Sequence, residues 1–277
     1  MLLKWAGGKA WLTRNHPYVF HSKESLLSND SKQHSVKYNR YIDPFVGGGA
    51  VFKHLQPSKS LISDINEELI TYYKCLQSSP TELFNEVKSH FKNHSKDYYY
   101  QTRKEIKINK LEASARFLYL NYTCFNGIYR VNKKNEFNVP IGDNSNFHYE
   151  LKDFKNYSKL LRNTKIKLQD FRETIAEAKK GDLLYVDPPY VTKSKKSTFD
   201  KYSPKVFSWQ DQDDLSSLLY EKSKEGVSIV LSNINDTEIV NIYPISKGWS
   251  HKPIDRANSL AYRPQAKKYK EIIISNL

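Results

Sequence analysis

Cysteine is nearly absent. The 277-residue chain has two, Cys75 and Cys124. Neither sits in a Cys-x-x-Cys pair, and no Cys/His group has the spacing of a zinc site. His148 and His251 stand without neighbouring ligand types, so no metal centre is expected. Two thiols without a secretory leader point to a reducing compartment. The run MLLKWAGGKAW lacks the apolar core of a signal peptide, and no stretch approaches the ~20 apolar residues that span a bilayer. The expectation is a soluble, cytoplasmic chain with no membrane role. Acidic residues are also scarce: 30 Asp and Glu stand against 44 Lys and Arg, a net charge of +14. Such an excess suits a polyanionic partner, a nucleic acid or an anionic membrane surface. An AT-rich genome, which favours lysine codons, raises the same count. The basic residues are spread along the chain, with short clusters such as Lys193, Lys195 and Lys196 and no long basic tail. That distribution fits a folded groove better than a disordered arm.

What is present is an alternating pattern of strands and helices. Arg40 to Ile42 begins like a short strand, three glycines follow at Gly47 to Gly49, and a helix is expected from Ala50 to Leu55. Strand, glycine turn and helix together form a nucleotide-binding α/β unit. Ser60 to Asp64 reads as the next strand, and Asn66 as the N-cap of a helix from Glu67 to Leu76. From Thr71 to Tyr122 the spacing is helical: Leu83, Val87 and Phe91 recur at four, as do Leu111, Ala115, Tyr119 and Thr123. Phe125 to Asn138 has β-like runs around Gly127 and the polar cluster Asn132 to Asn135, which suits a hairpin. Strand-like runs return at Lys165–Leu168, Asp182–Asp187, Val227–Ser232 and Glu271–Ser275, with a helix around Leu215 to Ser223. The helical middle therefore reads as an insert in an α/β domain. His21–Asn39 and Thr192–Pro204 are expected to be loops.

Asp187-Pro-Pro-Tyr190 follows an apolar strand, at the end where open α/β sheets bind ligands. Two prolines remove two backbone donors and stiffen the turn, while carbonyls remain as acceptors. An exocyclic amine has two N–H donors. The Asp187 carboxylate and the Pro188 carbonyl can accept both, and Tyr190 can stack on a base. A rigid strand exit with a surface tyrosine is the plainer alternative. The glycines at Gly47 and Gly49 let backbone approach a ligand closely. They do not match the dinucleotide pattern, because Phe52 occupies the place of its third glycine. Asp43 before the turn would repel a diphosphate but suits an ammonium group, and Asp64 can accept from ribose hydroxyls. In Lys4-Trp-Ala-Gly-Gly-Lys9, Lys9 suits a carboxylate and Trp5 can flank a cofactor; a chance lead-in to a helix would look the same.

Lys4-Trp-Ala-Gly-Gly-Lys9, Asp43-Pro-Phe-Val-Gly-Gly-Gly49 and Asp187-Pro-Pro-Tyr190 occur in the order and spacing of the Dam-type N6-adenine DNA methyltransferases (D12 class, alpha group). Phe125-Asn-Gly-Ile-Tyr-Arg130 with Phe137-Asn-Val-Pro-Ile-Gly142 resembles that family's recognition hairpin, and Leu231-Ser-Asn-Ile-Asn-Asp-Thr237 its strand and turn after the catalytic one. The resemblance runs from Leu3 nearly to the C-terminus. It implies an α/β fold: a Rossmann-like S-adenosylmethionine-dependent methyltransferase sheet over 1–66 and 152–277, with a mainly helical target-recognition insert and β-hairpin over 67–151. By the same resemblance, Trp5, Lys9, Asp43, Phe45, Gly47, Gly49, Asp64 and Asp187 are expected on S-adenosylmethionine. Asp187, Pro188, Pro189 and Tyr190 are expected at the reacting amine, and Lys4, Asn126, Arg130, Asn132 and Pro140 on double-stranded DNA. Where the GATC-specific members carry a base-reading arginine, this chain has Asp143, which cannot give guanine two donors. GATC is therefore not carried over.

The expected reaction is direct methyl transfer to adenine N6 after the base is flipped out of the duplex. Cytosine C5 chemistry would need a cysteine nucleophile; Cys75 and Cys124 are both expected in helical segments, and neither lies in a Pro-Cys motif. Cytosine N4 or a protein amide would suit the same acceptors. A catalytically silent nucleic-acid-binding module on this fold is a different class of reading, and binding of S-adenosylmethionine separates the two. A monomer is expected, with a cognate restriction endonuclease as a functional partner.

Overall fold

The structure, a computed structural model, describes residues 2–20, 36–106, 109–144, 146–192, 207–255 and 270–277. Most of the two expected loops, with Lys193, Lys195 and Lys196, lies outside the described residues.

The described elements run α1 (Ala10–Asn15), β1 (Tyr41–Asp43), α2 (Ala50–Leu55), β2 (Ser60–Asp64), α3 (Glu67–Ser78), α4 (Pro80–Lys92), α5 (Lys96–Lys104), α6 (Lys110–Thr123), α7 (Leu151–Leu161), β3 (Thr164–Leu168), α8 (Phe171–Ala176), β4 (Leu183–Val186), α9 (Trp209–Lys224), β5 (Ser228–Ile234), α10 (Thr237–Ile242), β6 (Ser250–Asp255) and β7 (Lys270–Ser275). The fold is mixed α/β with a seven-stranded sheet of order β3-β2-β1-β4-β5-β7-β6, consistent with a Rossmann-like methyltransferase. The chain forms two compact units. One draws on Met1–Asn15 and Val46–Phe171, the other on His16–Phe45, Arg172–Thr198 and Phe207–Leu277.

In the first unit β2 and β3 pair in parallel, with Ser60 opposite Thr164 and Asp64 opposite Leu168. Asn66 caps α3 by accepting a hydrogen bond from the Leu69 N–H at 3.0 Å. Pro80 opens α4 at a position that needs no donor. On α4, Leu83 and Val87 are buried as their spacing predicts. Every residue of α6 from Ser114 to Thr123 is buried, so this helix is covered on all sides, with α3 and α4 against it. After α6 the chain makes two isolated antiparallel bridges, Cys124 with Ile141 and Val131 with Phe137.

In the second unit β1, β4 and β5 are parallel, while β7 runs antiparallel to both β5 and β6. All four residues of β4 are buried, as a strand covered on both faces requires. The pairings Tyr41 with Leu183, Tyr185 with Val230, and Ser232 with Ile273 fix the register. Alternate residues share a face, so Asp43, Tyr185, Ser232 and Glu271 lie on the same side. Because β7 is antiparallel, its first residues, including Glu271, lie beside the carboxyl end of β5.

Three elements differ from expectation. Helix α9 begins at Trp209, well before Leu215, because Ser208 and Asp211 form a capping box. Cys124 is not helical; it is the residue that caps α6. Strand β6 escaped the reading because Pro253 breaks its pattern, a residue tolerated at a sheet edge.

Leu184 is fully buried in β4, whereas Leu168 is 47 % exposed. Leu184→Ala is expected to cost about 2–5 kcal/mol. Leu168→Ala is expected to change stability by about 0.5 kcal/mol or less. The midpoints of urea unfolding measure both.

Candidate active site

The first unit builds a tight cluster around the glycine turn. Gly47 has φ 47°, and a Cβ there would lie 2.7 Å from Trp5 Cδ1. Only glycine accepts that backbone and that proximity without strain. The Gly47 N–H donates to the Asp64 carboxylate at 3.3 Å, and the Asn66 N–H donates to its other oxygen at 3.0 Å. The Tyr73 hydroxyl donates to the Gly47 carbonyl at 2.9 Å. Gly49, at φ 67°, has no room for a Cβ either, because the Tyr73 hydroxyl would lie 2.8 Å away. The Trp5 ring stacks on Tyr129, with centroids 5.6 Å apart and planes 21° apart. The Tyr129 hydroxyl donates to Glu68 at 2.7 Å, and Glu68 in turn pairs with Arg116. Burial pushes the Asp64 carboxyl up to about 6, against the lowering effect of the backbone N–H groups it accepts from. Beside it, at the carboxyl ends of β2 and β3, Ile65 and Leu168 are 52 % and 47 % exposed. Lys9 is 3 % exposed, and its ammonium donates to the Gly7 carbonyl at 2.9 Å.

This cluster could hold the nucleoside part of S-adenosylmethionine: the two Asp64 carboxylate oxygens retain spare lone pairs for hydroxyls, and Ile65 and Leu168 offer an apolar surface to a purine.

Also in the first unit, Asn121 clamps the amino-terminal segment. Its amide accepts from the Lys4 N–H at 3.0 Å and donates to the Lys4 carbonyl at 2.8 Å and the Gly127 carbonyl at 3.4 Å. Lys4 Nζ sits 4.7 Å over the Tyr122 ring. Lys4, Trp5, Asn126 and Gly127 help line a cavity of about 400 Å³. Asn126 is exposed and adopts φ 55°. Arg130 is exposed; its Nε donates to the Asn138 side chain at 2.7 Å and its Nη2 to the Asn138 carbonyl at 3.2 Å. The Asn132 side chain accepts from the Lys134 and Glu136 N–H groups and so shapes the tip of this segment. Pro140 is exposed, and its carbonyl accepts from the Phe125 N–H at 2.9 Å. Burial pushes the Cys124 thiol up to about 11, which disfavours a thiolate nucleophile.

In the second unit the Asp187-Pro-Pro-Tyr190 turn leaves the carboxyl end of β4. Pro188 is buried and Pro189 exposed, and Asp187 and Tyr190 are partly buried. The Tyr190 hydroxyl donates to Glu271 at 3.0 Å and lies 3.2 Å from Ser232 Oγ. Burial first, then Asp187 and Glu271, hold the Tyr190 phenol far above its usual range, so it stays a donor. Among the described residues the buried Tyr185 hydroxyl finds no hydrogen-bond partner, and Asp187, Tyr190, Asp43 and Glu271 surround it electrostatically. Buried Asp43 accepts from the Tyr41 hydroxyl at 2.8 Å and the Phe45 N–H at 3.1 Å. The Phe45 ring meets Phe207 edge-on at 5.8 Å.

Of the expected residues, Trp5, Gly47, Gly49 and Asp64 share one cluster, and Lys4 and Asn126 share one cavity. Arg130, Asn132 and Pro140 lie on one bridged segment; Asp43, Phe45, Asp187, Pro188, Pro189 and Tyr190 belong to the second unit. Sequence reasoning missed Ile65, Tyr73, Asn121, Tyr129, Leu168, Tyr185 and Glu271. The only advance signal was positional: Ile65 and Leu168 sit where strands end, and Tyr185 lies two residues before Asp187.

A family model for D12 class N6 adenine-specific DNA methyltransferases matches residues 5–252. A Type II methyltransferase, M1.LlaDCHI of Lactococcus lactis subsp. cremoris, is 33 % identical across 99 % of this chain and 94 % of its own length. A second, M.MjaIII of Methanocaldococcus jannaschii, is 37 % identical over 83 % of each. A DNA adenine methylase of Haemophilus influenzae is 31 % identical over 98 % of this chain and 91 % of its own. The extent of the match and the motifs it spans agree, and this chain belongs to the D12 class of N6 adenine-specific DNA methyltransferases.

Proposed function

We propose that the chain methylates N6 of adenine at a short double-stranded DNA target, with Asp187, Pro188, Pro189 and Tyr190 at the reacting amine. The observation that carries this is the Asp-Pro-Pro-Tyr turn at the carboxyl end of parallel β4, with its tyrosine held by hydrogen bonds. S-adenosylmethionine, when bound, supplies a methyl on a sulfonium. In the first unit, Trp5, Lys9, Gly47, Gly49 and Asp64 hold this methyl donor, with Asp64 on its ribose and Ile65 and Leu168 along its purine. Residues 67–151 act as the target-recognition part, and 1–66 with 152–277 as the catalytic part. Lys4, Asn126, Arg130, Asn132 and Pro140 meet DNA.

Adenine N6 is a weak nucleophile because its lone pair is delocalised into the ring. Asp187 and the Pro188 carbonyl accept its two N–H bonds, favour a more tetrahedral nitrogen, and stabilise the charge that develops there. The base must leave the duplex to reach them, at about a few kcal/mol. Stacking on Tyr190 offsets about 1–3 kcal/mol of that. Alignment of nitrogen with methyl is the remaining work. The Type II names of two relatives favour a restriction-modification setting, with an endonuclease as the functional counterpart and the chain acting as a monomer in the cytoplasm.

Sequencing modified bases in DNA from cells that express the chain and have no other adenine methylase tests the function. N6-methyladenine at one short motif is the expected result; N4-methylcytosine, or no new mark, would overturn it. Asp187→Ala is expected to abolish transfer of labelled methyl to DNA while leaving the melting temperature in place. Tyr190→Ala should lower kcat more than it weakens donor binding.

Only the ionised Asp64 accepts two hydroxyls, and its carboxyl stands at about 6. Affinity for S-adenosylmethionine, read by calorimetry, is therefore expected to be flat above neutrality. Below pH 6 it should weaken by up to about tenfold per pH unit. Asp64→Asn should remove the slope. In folding this group acts the other way: its stabilising share is present below about pH 4 and is lost as pH rises through 6.

If Arg130 reads a base, Arg130→Ala should cost about 1–3 kcal/mol on the target and relax selectivity at one position. An equal loss on every DNA would make it a phosphate contact.

A further inference from the structure

Tyr190 carries more than a stacking surface. Its hydroxyl donates to Glu271 at 3.0 Å and lies 3.2 Å from Ser232 Oγ. Glu271 is 2 % exposed, and a carboxylate that deep is costly unless it holds specific partners. The antiparallel pairing of Ile234 with Glu271 sets it beside the end of β5, on the face that carries Ser232. The tyrosine hydroxyl oxygen lies on the axis of the second torsion, so hydrogen bonds there fix the first torsion and with it the place of the ring, while the preference of the O–H bond for the ring plane biases the second. The bond is charge-assisted, and so stronger than one between neutral groups. A ring fixed in advance loses little freedom when a base arrives against it.

We propose that Glu271, together with Ser232, is a positioning residue for Tyr190, holding the ring in its place before the target adenine arrives. This rests on the reading of Tyr190 as the base-stacking residue. In this role Glu271 acts through the phenol. Ser232 comes from the Leu231-Ser-Asn motif, and its hydroxyl gives that motif a part in the site.

The test is a double-mutant cycle on the full chain. The probes are labelled S-adenosylmethionine and double-stranded DNA from cells without adenine methylation. Tyr190→Phe and Glu271→Leu are each expected to lower the single-turnover rate by about tenfold, the scale of one lost hydrogen bond to a charged group. The affinity for S-adenosylmethionine should stay within about twofold. The double variant should be no slower than either single one. Losses that multiply, or a loss of donor affinity with the rate intact, would overturn the proposal. If Glu271→Leu does not fold, Glu271→Gln is compared in the Tyr190 and Tyr190→Phe backgrounds. A loss in the first alone supports positioning; the same effect in both, or none in either, refutes it. Asp187→Ala separates the two levels. If that variant still turns over, the underlying reading of the turn fails. If it is dead while the cycle is multiplicative, only the positioning role falls.

Discussion

At Gly47 there is no space for a side chain, and the cluster around the glycine turn of the first unit depends on that. Trp5 occupies the volume a Cβ would need. The left-handed turn directs the Gly47 N–H at Asp64 and leaves its carbonyl for Tyr73. One steric fact thus joins an amino-terminal tryptophan, the end of β2 and a helix surface. From Trp5 the contacts continue through Tyr129 to Glu68 and Arg116. They are short-range packing and paired charge, which keep their geometry because close-packed interiors do not deform continuously.

The second unit meets a different constraint, acidity. Asp43, Asp187 and Glu271 surround the Tyr185 and Tyr190 phenols. Burial and neighbouring carboxylates both disfavour phenolate, so these hydroxyls remain donors and add no further negative charge. Asp43 takes a tyrosine hydroxyl and a turn N–H, and Glu271 takes Tyr190. A chain with a net charge of +14 concentrates acids here, against the background that suits it to a polyanion.

Motifs that act through contiguous residues were readable in advance. Asp187-Pro-Pro-Tyr190 and the three glycines encode their turns locally, apolar runs encode β2, β4 and β7, and alternation encodes β3. The spacing of Leu83 and Val87 marked the buried side of α4, and Asn66 marked the start of α3. The span from Phe125 to Gly142 was expected as a hairpin, and it is held by two isolated bridges. Its composition gave turn residues without the alternation that fixes a regular ladder.

Short-range pattern alone carried the family, most of the strands and helices in their order, and the residue types at the glycine and Asp-Pro-Pro-Tyr turns. These follow from dihedral limits and hydrophobic period, which act over a few residues. Which distant groups face them follows from long-range packing. Asn121 holds Lys4 across 117 positions, Tyr129 covers Trp5, and Glu271 reaches Tyr190 across 81. The direction of β7 and the burial of α6 set those meetings, and both are fixed by packing between segments that carry no local mark of one another.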